Sequence, residues 1–320
     1  MTQPNELREF LRSRRARLTP DDVGLPWRSG SRRVAGLRRE ELALLAGVSV
    51  DYYNRLEQGR ARNVSDQVLG AVADALRLDD LERHHLFDLV KPSSKARRPP
   101  AKPVRARQAL RTMIDALDPT PAVLHGPRLE VVAINRMGKV LIDDFDAVPP
   151  AERNMARWMF LNPKARSVYP DWAVIAEQMV AILRVAGGQD PDDPLLAALV
   201  GELSTRSPEF ARYWAAYRVF QHTHGTKRFH HDAVGVMTIN YESLVPPTDP
   251  GTSLIVYTAD TGSPSEEKLK ILSSWATPQS REATSQSLSA LSASTAHGAT
   301  PPPNSTGSPT STGDSAQSSK

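Results

Sequence analysis

At 320 residues the chain has room for about two domains, and a hydrophobic content of 40% supplies their cores. It holds no cysteine, which excludes a disulfide framework and thiolate-ligated zinc. No apolar run approaches the roughly 20 residues of a membrane span, and no secretory core follows Met1, so the expected site is the cytoplasm with no membrane contact. The net charge of +4 is unevenly spread: residues 1–110 carry 22 Lys/Arg against 14 Asp/Glu, the remainder 18 against 22. A phosphate-binding N-terminal half explains that split better than general solubility does.

Asn5 to Arg17 has helical spacing, with Leu7, Phe10 and Leu11 as its apolar stripe and arginines elsewhere. Thr19-Pro20-Asp21-Asp22 is a turn. The basic stretch Trp27 to Ala35 follows, with Arg28, Arg32 and Arg33 either beside phosphates or in a solvated loop.

From Arg39 to Leu56 the spacing is that of a helix-turn-helix. Ala43 is small enough for a helix crossing, Gly47 suits a left-handed turn, and Val48 plugs the gap beneath it. Ser49 is placed to cap the second helix by accepting from the Tyr52 amide, and Asp51 lies in the positive first turn. Tyr53 and Leu56 face inward. Val50, Asp51, Tyr52, Asn54 and Arg55 stay outside, the first of them nearest a major groove. Ser65 begins a helix to Leu76, and Asp79 to Val90 makes the fifth. His84 and His85 are adjacent and diverge by about 100° on a helix, so they cannot chelate together; both read as structural.

Residues 91–104 form a Pro-rich basic linker. A helix at Arg105 to Leu117 opens the second domain. Two apolar strands, Pro121 to His125 and Leu129 to Ile134, flank a tight turn, and Asn135 caps a helix toward Ile142. Helical spacing returns at Pro150–Phe160, Trp172–Val185, Pro194–Leu203 and Pro208–Val219, with Gly187-Gly188 among the breaks. Strands follow at Lys227–His231, Val234–Leu244 and Ser253–Ala259, then a helix capped by Ser263 and running to Trp275. The pattern is α+β. Residues 277–320, rich in Ser, Thr and Pro, lack the apolar surface to offset ordering entropy and are expected to be disordered.

The run Gly47-Val48-Ser49-Val50-Asp51-Tyr52-Tyr53-Asn54-Arg55-Leu56-Glu57-Gln58-Gly59-Arg60 resembles the Xre, or lambda-repressor-like, helix-turn-helix of actinobacterial regulators. In that subgroup a PAS-like ligand-binding domain of the MmyB type follows, and the strand, turn, strand, Asn, helix opening of the second domain is similar to it. Two departures stand out: Arg38 and Arg39 replace the usual polar cap and glutamine, and the link from Thr19 to Leu37 is long.

The resemblance implies a multidomain chain. An all-α five-helix lambda-repressor-like domain (1–90) is joined by the linker (91–104) to an α+β PAS-like domain (105–276) and the tail (277–320). It implies double-stranded DNA as partner, a homodimer, and an apolar, fatty-acid-like effector. At the DNA, Ser49, Val50, Asp51, Tyr52 and Asn54 are the helix-start candidates. Arg39, Arg55, Arg60 and Arg62, with Arg32 and Arg33, are the phosphate candidates.

Methionines and aromatics suit an adaptable pocket, and each is also a good core residue. Trp158, Met159, Phe160, Trp214 and Phe220 are the wall candidates; Arg157, Arg218 or His222 is a candidate anchor for an acidic head. His222, His224, His230 and His231 invite a metal reading. His230 and His231 would point to opposite faces of a strand and no acid sits at ligand spacing, so no metal or cofactor is expected. HExxH, GxGxxG, Walker and GxSxG motifs are absent from the sequence, which disfavours an enzyme. The competing reading is a DNA-binding protein whose second domain is a protein-interaction or dimerisation module without ligand; a nucleoid scaffold and an antitoxin-like partner also remain.

Overall fold

The structure is a computed structural model, and it describes residues 3–25, 34, 36–91, 105–249 and 251–275. Arg28, Arg32, Arg33, most of the 91–104 linker and the tail lie outside the described residues.

Five helices build the N-terminal part: α1 (Gln3–Arg17), α2 (Arg39–Leu45), α3 (Val50–Glu57), α4 (Asp66–Ala75) and α5 (Asp80–Val90). Their apolar faces meet in one core that includes Phe10, Leu42, Tyr53, Leu56, Leu69 and Leu86. The caps sit where the sequence places them. Ser49 accepts from Tyr52 N at 3.1 Å, Ser65 from Val68 N at 3.3 Å and Asp79 from Glu82 N at 2.8 Å, each satisfying an amide that the helix itself leaves open. Gly47 has φ 66°, and the Val48 amide returns to Ala43 O at 3.0 Å. The basic start of α2 solves its capping differently: the Arg38 amide donates to Glu41 Oε2 at 2.7 Å, a carboxylate standing in for the usual cap.

The second part holds α6 (Gln108–Ala116), β1 (Ala122–His125), β2 (Val131–Ile134), α7 (Arg136–Leu141), α8 (Met155–Leu161), α9 (Lys164–Val168), α10 (Trp172–Gln189), α11 (Pro194–Arg206), α12 (Pro208–Ala215), β3 (His224–His231), β4 (Gly235–Leu244), β5 (Ser253–Thr258) and α13 (Pro264–Trp275). The strands form one antiparallel sheet in the order β2-β1-β5-β4-β3, the α+β arrangement expected of a PAS-like domain. On β4, Met237, Ile239 and Tyr241 are buried while Val236, Thr238 and Glu242 are exposed, the alternation of a strand with one covered face. Asn135 ties the opening together: its Oδ1 accepts from Gly138 N at 2.8 Å and Ala122 N at 3.0 Å, and its Nδ2 donates to Thr120 O at 2.7 Å.

Several boundaries differ from the sequence reading; the larger differences fall at α8, α9, α10 and α12. Helix α8 starts at Met155, not Pro150, because the chain first pairs with the strand edge. Glu130 bridges Asn154 and the Met155 amide donates to Leu129 O at 2.8 Å. Asn154 Oδ1 then caps the helix at the amides of Ala156 and Arg157. The short α9 after Pro163 was not anticipated. Helix α12 ends at Ala215, since Tyr217 takes φ 54°. Gly187-Gly188 does not break α10 but lets it approach its neighbour closely: a Cβ on Gly188 would stand 2.5 Å from His85 Cε1 on α5.

Within Met1–Ala276 the described residues pack as one compact unit. The main C-terminal core lies between the sheet and helices such as α8 and α10. A smaller core under α6 covers Leu124, Val132 and Leu254.

One ion cluster organises the helix-turn-helix. The fully buried Glu57 carboxylate, at the end of α3, accepts from Arg15 Nε of α1 at 3.3 Å and Arg39 Nε of α2 at 2.8 Å. Burial alone pushes its pKa up, but the hydrogen bond from Arg39 and the charges of Arg15 and Arg39 outweigh it, leaving the carboxyl below the usual range. Glu57→Ala would leave the largely buried Arg15 uncompensated, a loss of about 3 kcal/mol that urea unfolding of the full chain would measure. A depressed folded pKa means the contribution is present above the ordinary value of 4.5 and is lost as pH falls through it. The difference between wild type and Glu57→Gln should therefore shrink on acidification below that value.

Candidate functional site

The start of α3 is presented to solvent. Val50 is 44% exposed. Asp51, Arg55, Arg60 and Arg62 are exposed, and Tyr52 and Asn54 are half-buried. Ser49 is exposed and engaged as the cap. Tyr53 and Leu56 anchor the opposite face in the core, so the outward side chains are carried on a fixed helix. Asp51 and Arg55, one turn apart, pair at 3.3 Å. Asn54 Oδ1 has no hydrogen-bond partner among the described residues.

Arg39 is held by Glu57 at 2.7 Å and is still 44% exposed. It shares a polar recess with Asn5, Arg8, Gln58 and Arg60. The recess gathers three guanidinium groups from α1, α2 and the turn after α3, an arrangement suited to phosphate oxygens. Arg8 and Gln58 were not singled out from the sequence. Their only signal is an outward place on helices whose mutual packing sequence spacing does not reveal.

The second domain holds a half-open cavity of about 330 Å³, within the roughly 300–1,000 Å³ usual for small-molecule sites. Helix α10 supplies one wall through Ile175, Met179 and Ile182; the sheet supplies another through Ile255 and Tyr257; Phe220 closes an end. At one side stands a basic cluster of His125 from β1, Lys227 from β3 and His222 from the segment before β3. Lys227 Nζ lies 2.6 Å from His222 Nε2 and 4.3 Å from the Tyr241 ring centroid. The His222 ring stacks on Tyr241 at 4.0 Å and 3°.

No aspartate or glutamate lines the cavity among the described residues. Burial lowers Lys227 to about 7. Burial and then the Lys227 charge lower His222 to about 2 and His125 to about 4. The cluster is therefore a set of desolvated nitrogens whose charge burial disfavours, with Lys227 the most basic of the three. His125 Nδ1 and Gln178 Oε1 have no hydrogen-bond partner among the described residues. A half-open, mainly apolar cavity with a buried lysine that faces no carboxylate among the described residues suits an apolar molecule ending in an anion.

The cavity gathers only part of the candidate set. Phe220 and His222 line it. Trp158, Met159, Phe160 and Trp214 do not; they fill the core. Trp158 Nε1 donates to Asp143 at 2.6 Å, Met159 is buried, Phe160 meets Phe210 edge-on at 5.1 Å, and Trp214 stacks on Phe210 at 5.7 Å. Arg218 pairs with Glu177 at 3.0 Å and Arg157 with Glu202 at 2.8 Å, so both guanidinium groups already have carboxylates outside the cavity. Lys227 was missed as an anchor. The signal was there: on β3 it lies two residues before Phe229, so strand period places both on the covered face, where both are buried. His222 precedes β3 rather than lying on it. No group of three or more His, Cys, Asp or Glu side chains placed to hold a metal occurs among the described residues, and none of the described helices is long and apolar enough to cross a membrane.

Comparison with known families agrees with this division. The profile described as helix-turn-helix domain matches residues 6–86, and that described as MmyB-like transcription regulator ligand binding domain matches residues 106–272, more than half of the chain. Both are domains of regulators rather than enzymes. No curated protein matches the chain. The chain belongs to the MmyB-like transcription regulator family, a DNA-binding regulator with a helix-turn-helix reader ahead of a ligand-binding domain.

Proposed function

We propose that the regulator reads a specific DNA site through the start of α3 and senses an apolar molecule with an acidic head in the cavity of its second domain. The observation that carries the second half is Lys227: a buried ammonium with no carboxylate along its cavity wall. A fatty-acid carboxylate would supply the missing charge, while the alkyl chain lies along Ile175, Met179 and Ile182. Two copies on an inverted repeat would extend the few base pairs one reading helix covers, with half-sites about 34–36 Å apart or a multiple of that.

At the DNA, Asn54→Ala should cost about 1–3 kcal/mol at one base position and relax the choice there. Arg60→Ala should weaken binding to all sequences alike and flatten the salt dependence. Binding-site selection on randomised duplexes measures both. An unchanged selection profile for Asn54→Ala removes the base-reading assignment.

In the cavity, Lys227→Met should weaken tetradecanoate about 10–100-fold, the loss of a charge-assisted hydrogen bond, and leave tetradecan-1-ol unaffected. The pH profile carries its own sign. A bound carboxylate favours charged Lys227, so it raises that pKa. Affinity should be flat from pH 5.5 to about 7 and then fall by up to about tenfold per unit above 7. His125 and His222 stay neutral throughout that range. Calorimetric titration of the full chain measures this, and equal affinity for acid and alcohol at every pH eliminates the acidic head.

A further inference from the structure

One helix, α10, both lines the cavity and packs against the DNA reader. Helix α10 lines the cavity with Met179 and Ile182 and packs against α5 of the reader. At its C-terminal end Gly187 and Gly188 lie under Glu6 and His85: a Cβ on Gly187 would be 3.8 Å from Glu6 Oε1, and one on Gly188 would be 2.5 Å from His85 Cε1. Between these two roles sits Arg184, buried, with its guanidinium 3.6 Å from the Trp214 ring centroid and 3.9 Å from that of Tyr217.

Tyr217 belongs by sequence to the second domain and by packing to the core of the first, where it is 3% exposed. Its hydroxyl donates to Glu6 O at 2.7 Å, and its own carbonyl accepts from Arg14 Nη1 at 3.0 Å. Three and five residues further on, Phe220 and His222 line the cavity, and His222 touches Lys227. Five residues, at most about 18 Å of chain, connect Tyr217 and His222.

The seam is also poorly satisfied. Tyr217 holds a left-handed backbone that a tyrosine rarely adopts. Arg184 has one hydrogen bond, to Trp214 O at 2.6 Å. Its Nε and Nη1, both ring nitrogens of His85 and Trp214 Nε1 have no hydrogen-bond partner among the described residues. Strained and unpaired groups of this kind persist only while their surroundings hold them.

We propose that Tyr217, with Arg184 and His85 around it, is a latch through which occupancy of the cavity is felt by the DNA reader. The direction of the coupling rests on the ligand-sensing reading above. A molecule that fills the cavity orders α10 and the 217–222 segment. Tyr217 is then held more firmly against Glu6 and Arg14, and α1 and α5 become harder to open. Coupling acts only by the difference in affinity between the latched and unlatched arrangements.

Amide hydrogen exchange of the full chain, read by mass spectrometry, tests this with tetradecanoate as the probe. Wild type should show slower exchange in α10 and β3. It should also show exchange slowed about fivefold or more in α1 and α5, which touch no part of the cavity. Tyr217→Phe, which loses only the bond to Glu6, and Gly188→Ala, which wedges the seam at His85, should keep the first effect and lose the second. Protection of α10 and β3 with α1 and α5 unchanged or faster overturns the latch. If tetradecanoate protects nothing, the acid-ligand reading fails, and the cavity-filling variants Met179→Trp and Ile182→Trp decide the latch without ligand. Slower exchange in α1 and α5 of whichever variant keeps its far-ultraviolet circular dichroism supports it, and unchanged or faster exchange overturns it.

Discussion

Helix α10 has to be buried on nearly every side, and most of the architecture follows from meeting that demand. Ile175, Met179 and Leu183 belong to the sheet-side core, Val180 and Ala176 to the same cluster, while Arg184, Gly187 and Gly188 are buried nearer the reader. A helix apolar around most of its circumference cannot sit on a surface. It must be packed by something on each face, and here α5 and α12 cover what the sheet and α8 leave open. Gly188 is a condition for this. It places backbone against the His85 ring, where a side chain would collide. His85 answers by staying neutral: burial, then Arg14 and Arg184, push it down to about 3.

The charged groups divide into those that are compensated and those that are not, and the division tracks function. Glu57 gathers two arginines and fixes three helices of the reader. Arg128 is buried between Glu130 and Asp193, at 2.6 Å from the latter, and holds the β1–β2 turn to the start of α11. These are closed clusters with structural work to do. Lys227 is open: burial penalises its charge and no carboxylate repays it. The exposed arginines at the mouth of the polar recess are open in another sense, with guanidinium edges left to water.

The reader illustrates how a small domain presents a rigid surface. Tyr53 and Leu56 are sunk in its core, and the Ser49 cap fixes the first turn of α3. The outward residues therefore lose little freedom on meeting a groove, which lowers the ordering cost of binding. The Asp51–Arg55 pair is exposed and so weak.

Local chemistry was readable in the chain itself. Gly47, Ser49, Ser65, Asp79 and Asn135 each carry out a role that depends on one residue and its immediate neighbours, and the alternation along β4 reports one covered face by itself. The helix-turn-helix and the α+β class rest on such short-range signals. Tertiary structure decided what depends on distant neighbours. Trp158, Met159, Phe160 and Trp214 have the composition of a pocket, yet only packing determines which apolar residues face one another and which face a space. Arg157 and Arg218 are cations whose acids, Glu202 and Glu177, are some 40 residues away. Gly187-Gly188 reads as a helix stop until His85 is brought against it. Tyr217 reads as the end of a helix until its hydroxyl finds the backbone of Glu6, 211 residues earlier, because burial and partnership are properties of the folded chain and not of any segment of it.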